Sequence, residues 1–328
     1  MPNKVLAISG KDVLNCFPMQ EAIEVMRSAF SNLSNHTNSI PERTILEMPQ
    51  ENADALMMPV YSEQDKRFAI KVAAVNRDNP SDNLPLIHST MLLFNSLTGE
   101  TLAILDAESI TGIRTGAASG LATDILARQN SNVAAIFGAG VQARYQLEAI
   151  CCVRDIKQVQ LYNIDPAASE SFITDMSGKL NVNIEMTEDT SNLKNADIIC
   201  TATTSSSPLF GDEDIVDGTH INAIGSYKPD VREVPSATVK RAMVVVDSKE
   251  SSLKEAGDII IPIKEGIITD QHIYAELGEI INGKDNPRIN DNEITLFKSV
   301  GNAVQDLSSA MYIFNKAKDL GLGEEINL

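Results

Sequence analysis

The sequence predicts an α/β protein in two parts: a doubly wound parallel sheet in the second half, carried behind an α+β domain built on an antiparallel sheet. Three observations predict it. Beyond Gln129, short apolar runs alternate with helix-length segments; between Thr44 and Phe94, such runs follow one another with only turn-forming residues between them; and residues 133–143, "VAAIFGAGVQA", place glycines at 138 and 140 directly after an apolar run. Strands that alternate with helices have the long crossovers a parallel sheet requires, whereas strands joined by short polar turns pair antiparallel.

Taken in order, "MQEAIEVMRSAFSNL" at 19–33 sets Ala22, Ile23, Met26, Ala29, Phe30 and Leu33 on one helical stripe. "TILEM", "ALMMPVY", "FAIKVAAV" and "STMLLF" read as strands, broken by "PQENAD", "SEQDK" and "NRDNPSDNLP". A turn at "TGE" leads into the strand "TLAILDA", and "ITGIRTGAASGLATDILAR" reads as a long helix whose small residues suit close packing. The runs "VAAIFG", "QVQLYNI", "VNIEMT", "LKNADIICTAT", "THINAIG" and "AMVVVDS" then supply strands, with helices at "QARYQLEAICCV" and "AASESFITDMSGKL". After a polar loop at 283–292, "EITLFKSVGNAVQDLSSAMYIFNKAKDLGL" reads as one long amphipathic helix returning to the first domain. The expected boundaries are therefore 1–125 with the C-terminal helix 293–328, and a Rossmann-type nucleotide-binding domain at 126–292.

The 328 residues, 43% of them hydrophobic, suffice for two cores of ordinary size. A formal charge of -18 argues against a nucleic-acid partner, because no basic patch stands out against that field. No apolar stretch reaches the ~20 residues of a membrane helix, and the N-terminus carries no leader pattern, so a cytoplasmic protein is expected. Cys16, Cys151, Cys152 and Cys200 are too few and too unevenly spaced for a disulfide framework and read as buried thiols. His36, His88, His220 and His272 have no ligand neighbour at metal-binding spacing, and no metal is expected.

The glycine pair acquires meaning from its context, since a strand-to-helix turn is where backbone N–H groups can approach a pyrophosphate. Gly138 makes the turn, Gly140 clears the cofactor, Val141 and Gln142 open the helix, and Ala143 lets helix and strand pack closely. Where the next strand ends, the ribose-reading position holds Asn163, with Ile164 and Asp165 following. No arginine stands there to take a 2′-phosphate, so NAD(H) is favoured over NADP(H). Thr115, Thr201, Thr203, Gly225, Ser226 and Ser299 are the further candidates for cofactor contact. Arg43, Lys71 and Arg114 stand in apolar or small-residue surroundings ("PERTIL", "FAIKVAA", "ITGIRTGAA"). A buried cation is costly unless an anion pairs with it, and either an internal acid or a ligand carboxylate would serve. Lys66, Arg67 and Arg77 read as surface cations.

Through "PERT" at 41–44, "MMP" at 57–59, "IKV" at 70–72, the block 98–128 around Arg114, "FGAGVQA" at 137–143, "NAIGSYKPDVREV" at 222–234 and "SVGNAVQDLSSA" at 299–310, the chain resembles the ornithine cyclodeaminase and mu-crystallin family. The resemblance implies a homodimer joined through the antiparallel sheets, with substrate bound between the first domain and the nicotinamide. It also places residues matching Arg43, Lys71 and Arg114 on the substrate carboxylate. Two departures follow. The cyclodeaminases carry an aspartate where this chain has Tyr227, and a glutamate where it has Leu56, so both acids that would grip a diamine are gone. The form "GSxxPDxRE" resembles the ketimine reductase branch. The implied reaction is NAD(P)H-dependent reduction of a cyclic ketimine carboxylate, such as Δ1-pyrroline-2-carboxylate to L-proline or Δ1-piperideine-2-carboxylate to L-pipecolate. Lys71 and Arg114 are the candidate catalytic residues, and Arg43, Ser226 and Tyr227 further substrate contacts. Lys71, a water or prior protonation in solution could supply the imine proton, and Asp230 and Arg232 either orient the loop or pair at the surface. An alanine dehydrogenase, a residual cyclodeaminase and a non-enzymatic binding protein are the rivals; keeping both fingerprint and clamp argues against the last.

Overall fold

The structure, a computed structural model, describes residues 4–82, 84–285 and 288–328. It divides into two compact units, Met1–Arg114 with Ala303–Leu328, and Thr115–Asn302. Asn83, in the loop expected before the fourth run, and Asn286 and Pro287, in the polar loop 283–292, lie outside the described residues.

The first unit is built from β1 (Lys4–Ile8), α1 (Gly10–Cys16), α2 (Met19–Ser34), β2 (Asn38–Ser39), β3 (Thr44–Met48), β4 (Ala53–Ser62), β5 (Arg67–Asn76), β6 (Ile87–Asn95) and β7 (Thr101–Asp106). Helix α3 (Ala107–Leu126) begins in it, and α10 (Ala303–Leu320) and β16 (Glu324–Asn327) return to it. Its sheet runs β16-β1-β7-β6-β5-β4-β2, with β3 also pairing β4. All pairs are antiparallel except β1 with β7. The alternation of each strand gives two faces. Val60, Ala69, Lys71, Met91, Leu93 and Leu105 are buried on one, and α10 packs across that face with α1 and α2 against it.

The second unit follows α3 with β8 (Val133–Phe137), α4 (Val141–Val153), β9 (Gln158–Tyr162), α5 (Pro166–Leu180), β10 (Asn183–Met186), β11 (Ile198–Thr201), β12 (His220–Ala223), α6 (Ser236–Arg241), β13 (Met243–Val246), α7 (Lys249–Glu255), α8 (Gly257–Lys264), β14 (Ile273–Glu276), α9 (Leu277–Ile281) and β15 (Thr295–Lys298). The sheet order is β10-β9-β8-β11-β12-β15-β13-β14, every pair parallel. Strands β8 and β13 are apolar throughout, as expected where helices cover both faces, while β12 and β15 bury polar side chains among them. The chain reverses between β8 and β11, and such a reversal leaves a crevice at the strands' carboxyl ends.

Three expectations need correction. The boundary expected at 125/126 falls at 114/115, inside α3, because one continuous helix serves both units. The segment 293–328 is not one helix: Thr295–Lys298 is a central strand of the parallel sheet, and only Ala303–Leu320 is helical. Gly301, left-handed at φ 82°, separates the two, and the β-favouring run "TLF" belongs to the strand. Of the cysteines, Cys16 and Cys200 are buried, but Cys152 is exposed.

Candidate active site

Helix α3 carries Arg114 and strand β5 carries Lys71, and both are buried against α10. Between them stands Asp306. Its carboxylate meets Lys71 Nζ at 2.6 Å and Arg114 Nε at 3.1 Å. Arg114 also donates from Nη1 to Gln305 Oε1 (2.8 Å), and Lys71 lies 3.5 Å from Thr111 Oγ1. Burial pushes the Lys71 ammonium below its ordinary pKa, with Asp306 opposing and Arg114 and Arg43 adding to the fall. Burial would raise the Asp306 carboxyl, but Lys71 and Arg114 outweigh it and hold the group below its usual range. Arg43, just before β3, is thus near enough for its charge to act on Lys71. Leu56 lies on the Lys71 face of the sheet, as the pairing of Met58 with Lys71 and of Leu56 with Ala73 requires. Arg77 instead pairs with Asp54 at 2.5 Å, partly exposed.

The glycine turn lies where β8 hands over to α4. Gly138 is left-handed at φ 99°, and a Cβ there would come within 2.6 Å of the Ala202 carbonyl. A Cβ on Gly140 would meet nothing within 4 Å. Gly140 N-caps α4 without a side-chain bond, so its first N–H groups receive no side-chain cap. Beside them the Gln142 Oε1 is buried without a partner among the described residues. Val141 is exposed and Ala143 fully buried. Thr115 is buried, its carbonyl accepting from Gln146 Nε2, and a Cβ on the neighbouring Gly116 would come within 2.6 Å of the Tyr145 carbonyl. That closeness is why α3 is rich in small residues.

At the end of β9, the Asn163 amide donates to the Asp165 carbonyl and to Ser169 Oγ. Asp165 caps α5 through Oδ1, accepting from the Ala167 and Ala168 amides, and Ile164 between them is fully exposed.

The loop after β12 is tied by acids that the sequence reading overlooked. Glu233, fully buried, accepts from Thr201 Oγ1 (2.8 Å), the Thr203 amide (2.8 Å), Thr203 Oγ1 (2.6 Å) and the Ser226 amide (3.2 Å). Thr201 therefore supports Glu233, with no exposed surface left for a ligand. Gly225 is required because a Cβ would strike Thr203 and Glu233. Ser226 Oγ donates to the Val231 carbonyl, while Tyr227 is 55% exposed. Arg232 pairs with Glu265 and Ser236, not with Asp230. Lys298 and Asp258, both fully buried, form a pair at 2.9 Å. Ser299 Oγ donates to Asp247, which also accepts from the Val300 and Gly301 amides. Burial raises the Asp247 pKa, with these donors opposing. Asp306, Asp258 and Lys298 share one faint signal, a charged residue beside apolar neighbours, as in "AVQDLSSA", "GDIII" and "TLFK", whereas Glu233 in "PDVREVPS" has none.

A glycine turn on the doubly wound sheet of the second unit and a buried cationic cluster in the first are the features of a nicotinamide-dependent oxidoreductase. The chain belongs to the ornithine cyclodeaminase/mu-crystallin family, whose sequence profile matches residues 4–321. It is 39% identical to a Δ1-pyrroline-2-carboxylate reductase of Bacillus cereus, over 98% of this chain and 99% of that protein. A solved structure of the Thermococcus litoralis Δ1-pyrroline-2-carboxylate reductase in complex with NADH and L-proline superposes with a TM-score of 0.93 at 43% identity, covering 98% of this chain and 100% of that one. An archaeal alanine dehydrogenase dimer with bound NAD gives a TM-score of 0.92 at 31% identity, covering 99% of each chain.

Proposed function

We propose that the chain reduces a cyclic ketimine carboxylate, Δ1-pyrroline-2-carboxylate to L-proline, with hydride from a reduced nicotinamide; the six-membered homologue is the related substrate. The charge of the first unit's cluster carries this reading. Lys71 and Arg114 bring two positive charges and Asp306 one negative, leaving room for one carboxylate. Arg114 Nη2 has no acceptor among the described residues and is the donor that would receive a carboxylate oxygen. Arg43 would add a further positive charge at the same anion. With Leu56 and Tyr227 at the positions where the cyclodeaminases carry acids, neither position offers a carboxylate to a second ammonium. An imine acid needs no such partner. The imine must be protonated to accept hydride, and Lys71, its pKa lowered by burial, releases a proton more readily than a surface lysine.

The second unit fits a dinucleotide. Gly140 leaves open space beside uncapped N–H groups, and Gln142 Oε1 lacks a partner there, so Gly138, Gly140, Val141 and Gln142 would hold the pyrophosphate. Asn163 would face the ribose, and Thr115, Thr203, Gly225, Ser226 and Ser299 would complete the pocket. Bound there, the reduced nicotinamide supplies the hydride. NADH is the preferred form, since no cation stands among Asn163, Ile164 and Asp165 to receive a 2′-phosphate.

Two copies would join through the first unit's sheet. Tyr61, Phe68, Ile70, Val72, Leu92 and Phe94 alternate away from the α10 face, Phe68 and Phe94 stack at 4.4 Å, and Val72 is 38% exposed. Replacing Val72 by Glu should yield a monomer by light scattering; an unchanged dimer would exclude that face.

The deciding assay is NADH oxidation with Δ1-pyrroline-2-carboxylate, piperideine-2-carboxylate, and pyruvate plus ammonia in parallel. Turnover on pyruvate and ammonia alone would establish the alanine dehydrogenase reading that the archaeal relative favours.

A further inference from the structure

We propose that Lys298 is a positioning residue for this reaction: paired with Asp258 and bonded to the Ser226 carbonyl, it fixes the peptide joining Ser226 to Tyr227. The proposal rests on the reductase reading, in which those two residues face cofactor and substrate.

Every polar group of Ser226 is committed. Its amide donates to Glu233 Oε2, its hydroxyl donates to the Val231 carbonyl, and its carbonyl accepts from Lys298 Nζ. The far end of the loop is tied to the same set, because Asp258 Oδ1 accepts from the Glu233 and Val234 amides while Oδ2 pairs with Lys298. Gly257 admits the loop's backbone, as a Cβ there would collide with the Val231 carbonyl, and its amide donates to Lys228 O at 3.1 Å. Glu233 meanwhile joins the loop to Thr201 and Thr203 at the end of β11. The carboxyl ends of β11 and β12 are thereby held in one arrangement by one ion pair and one carboxylate. Beside these fixed groups Tyr227 is left more than half exposed.

Stability alone is a poor reason for such a pair. Taking two charges fully out of water costs about as much as their attraction returns, and apolar residues of like volume often do as well. What the pair adds is a single allowed orientation. Lys298 lies at the carboxyl end of β15, next to β12, so its short reach to the Ser226 carbonyl follows directly from the strand order.

The test is the double variant Lys298→Met/Asp258→Asn, which removes both charges together and keeps the Asp258 Oδ1 acceptor. Expected is a fall in kcat of about tenfold or more per folded molecule, with the KM for the imine within about threefold, because the carboxylate cluster is untouched. Amide exchange in residues 225–234 should speed up about tenfold or more, while residues 141–153 stay unchanged. A kcat within about threefold of wild type, or unchanged exchange in the loop, would overturn the proposal. Should the double variant not fold, Glu233→Gln, which puts an amide N–H among four donors, is expected to give the same loop loosening and kcat loss. Failure of the wild-type protein to oxidise NADH with any imine would instead refute the reductase reading, and loop exchange would then decide on Lys298 alone.

Discussion

The two buried charge clusters differ in how complete they are. In the second unit, Glu233 receives four hydrogen bonds, while Asp258 takes two amides on Oδ1 and the Lys298 ammonium as an ion pair on Oδ2, which has no hydrogen bond among the described residues. In the first, one acid serves two cations, and part of the Arg114 guanidinium has no acceptor among the described residues. The acids of one cluster tie a loop; the other carries more cations than acids, and on the proposed reading that excess charge meets a carboxylate. Buried polar groups are ordinarily paired, so the unpaired remainder is where a ligand's chemistry can be read.

Removing the unsaturated charge should break this contrast most severely. Arg114→Leu is expected to lower kcat/KM about 10³-fold or more, as loss of a charge-assisted pair and of orientation together would. NADH affinity, measured by fluorescence, should stay near wild type. Near-normal kcat/KM would show that the cluster is a structural ion pair and that the contrast is false.

Next in size is the response to a second ammonium. Ammonia release from L-ornithine should be slower than imine reduction by a factor of about 100 or more, since leaving one such charge desolvated and unpaired costs a few kcal/mol. Tyr227→Asp should raise ornithine turnover. Robust ammonia release from ornithine by the unmodified protein would restore the cyclodeaminase.

These clusters also mark what a sequence can and cannot disclose. The glycine turn was legible because strand, turn and helix are contiguous, and Lys71 and Arg114 because a cation in an apolar run is conspicuous by itself. Asp306 was not, since it lies 192 residues from Arg114 and occupies one position on an otherwise ordinary helical stripe. Lys298 was hidden by a misjudged period: "TLFK" was read into the following helix, although its place is in a central strand. The division within α3 was equally invisible, because nothing interrupts that helix.

A third effect probes satisfaction without any charge. His220 is fully buried, its ring nitrogens facing Thr295 Oγ1 at 2.9 Å and Asn222 Oδ1 at 3.2 Å. Burial foremost, then the Arg288 charge, against the opposing Asn222 bond, lowers its pKa from 6.5 to about 3. Between those two values the unfolded chain binds a proton that the folded chain refuses, so stability falls on acidification through this window. From pH 6.5 to 4.5 the loss from this group should approach 2–3 kcal/mol as an order of magnitude. His220→Gln should therefore be less stable than wild type at pH 8, with the gap narrowing at pH 4.5. Parallel denaturation curves at both pH values would show that His220 is not the titrating group.

The smallest expected effect lies at the end of β9, where the polar side chains are already partnered. Asp165 is occupied in capping α5 and Asn163 in bonding Asp165 and Ser169, so Ile164, wholly exposed, is the residue free to change without disturbing either. Wild type should show a lower KM for NADH than for NADPH, by about tenfold, equivalent to ~1.4 kcal/mol. The preference is modest because it reflects a missing cation near a carboxylate already held by two amides, and exposed charges are screened by salt. Ile164→Arg supplies that cation and should narrow or reverse the ratio through the NADPH term, leaving the KM for the imine unchanged. The shift should shrink as ionic strength rises, as an electrostatic contact at the surface must. A wild-type preference for NADPH would mean that a cation from elsewhere in the chain reaches the 2′-phosphate, and Ile164→Arg would then change little.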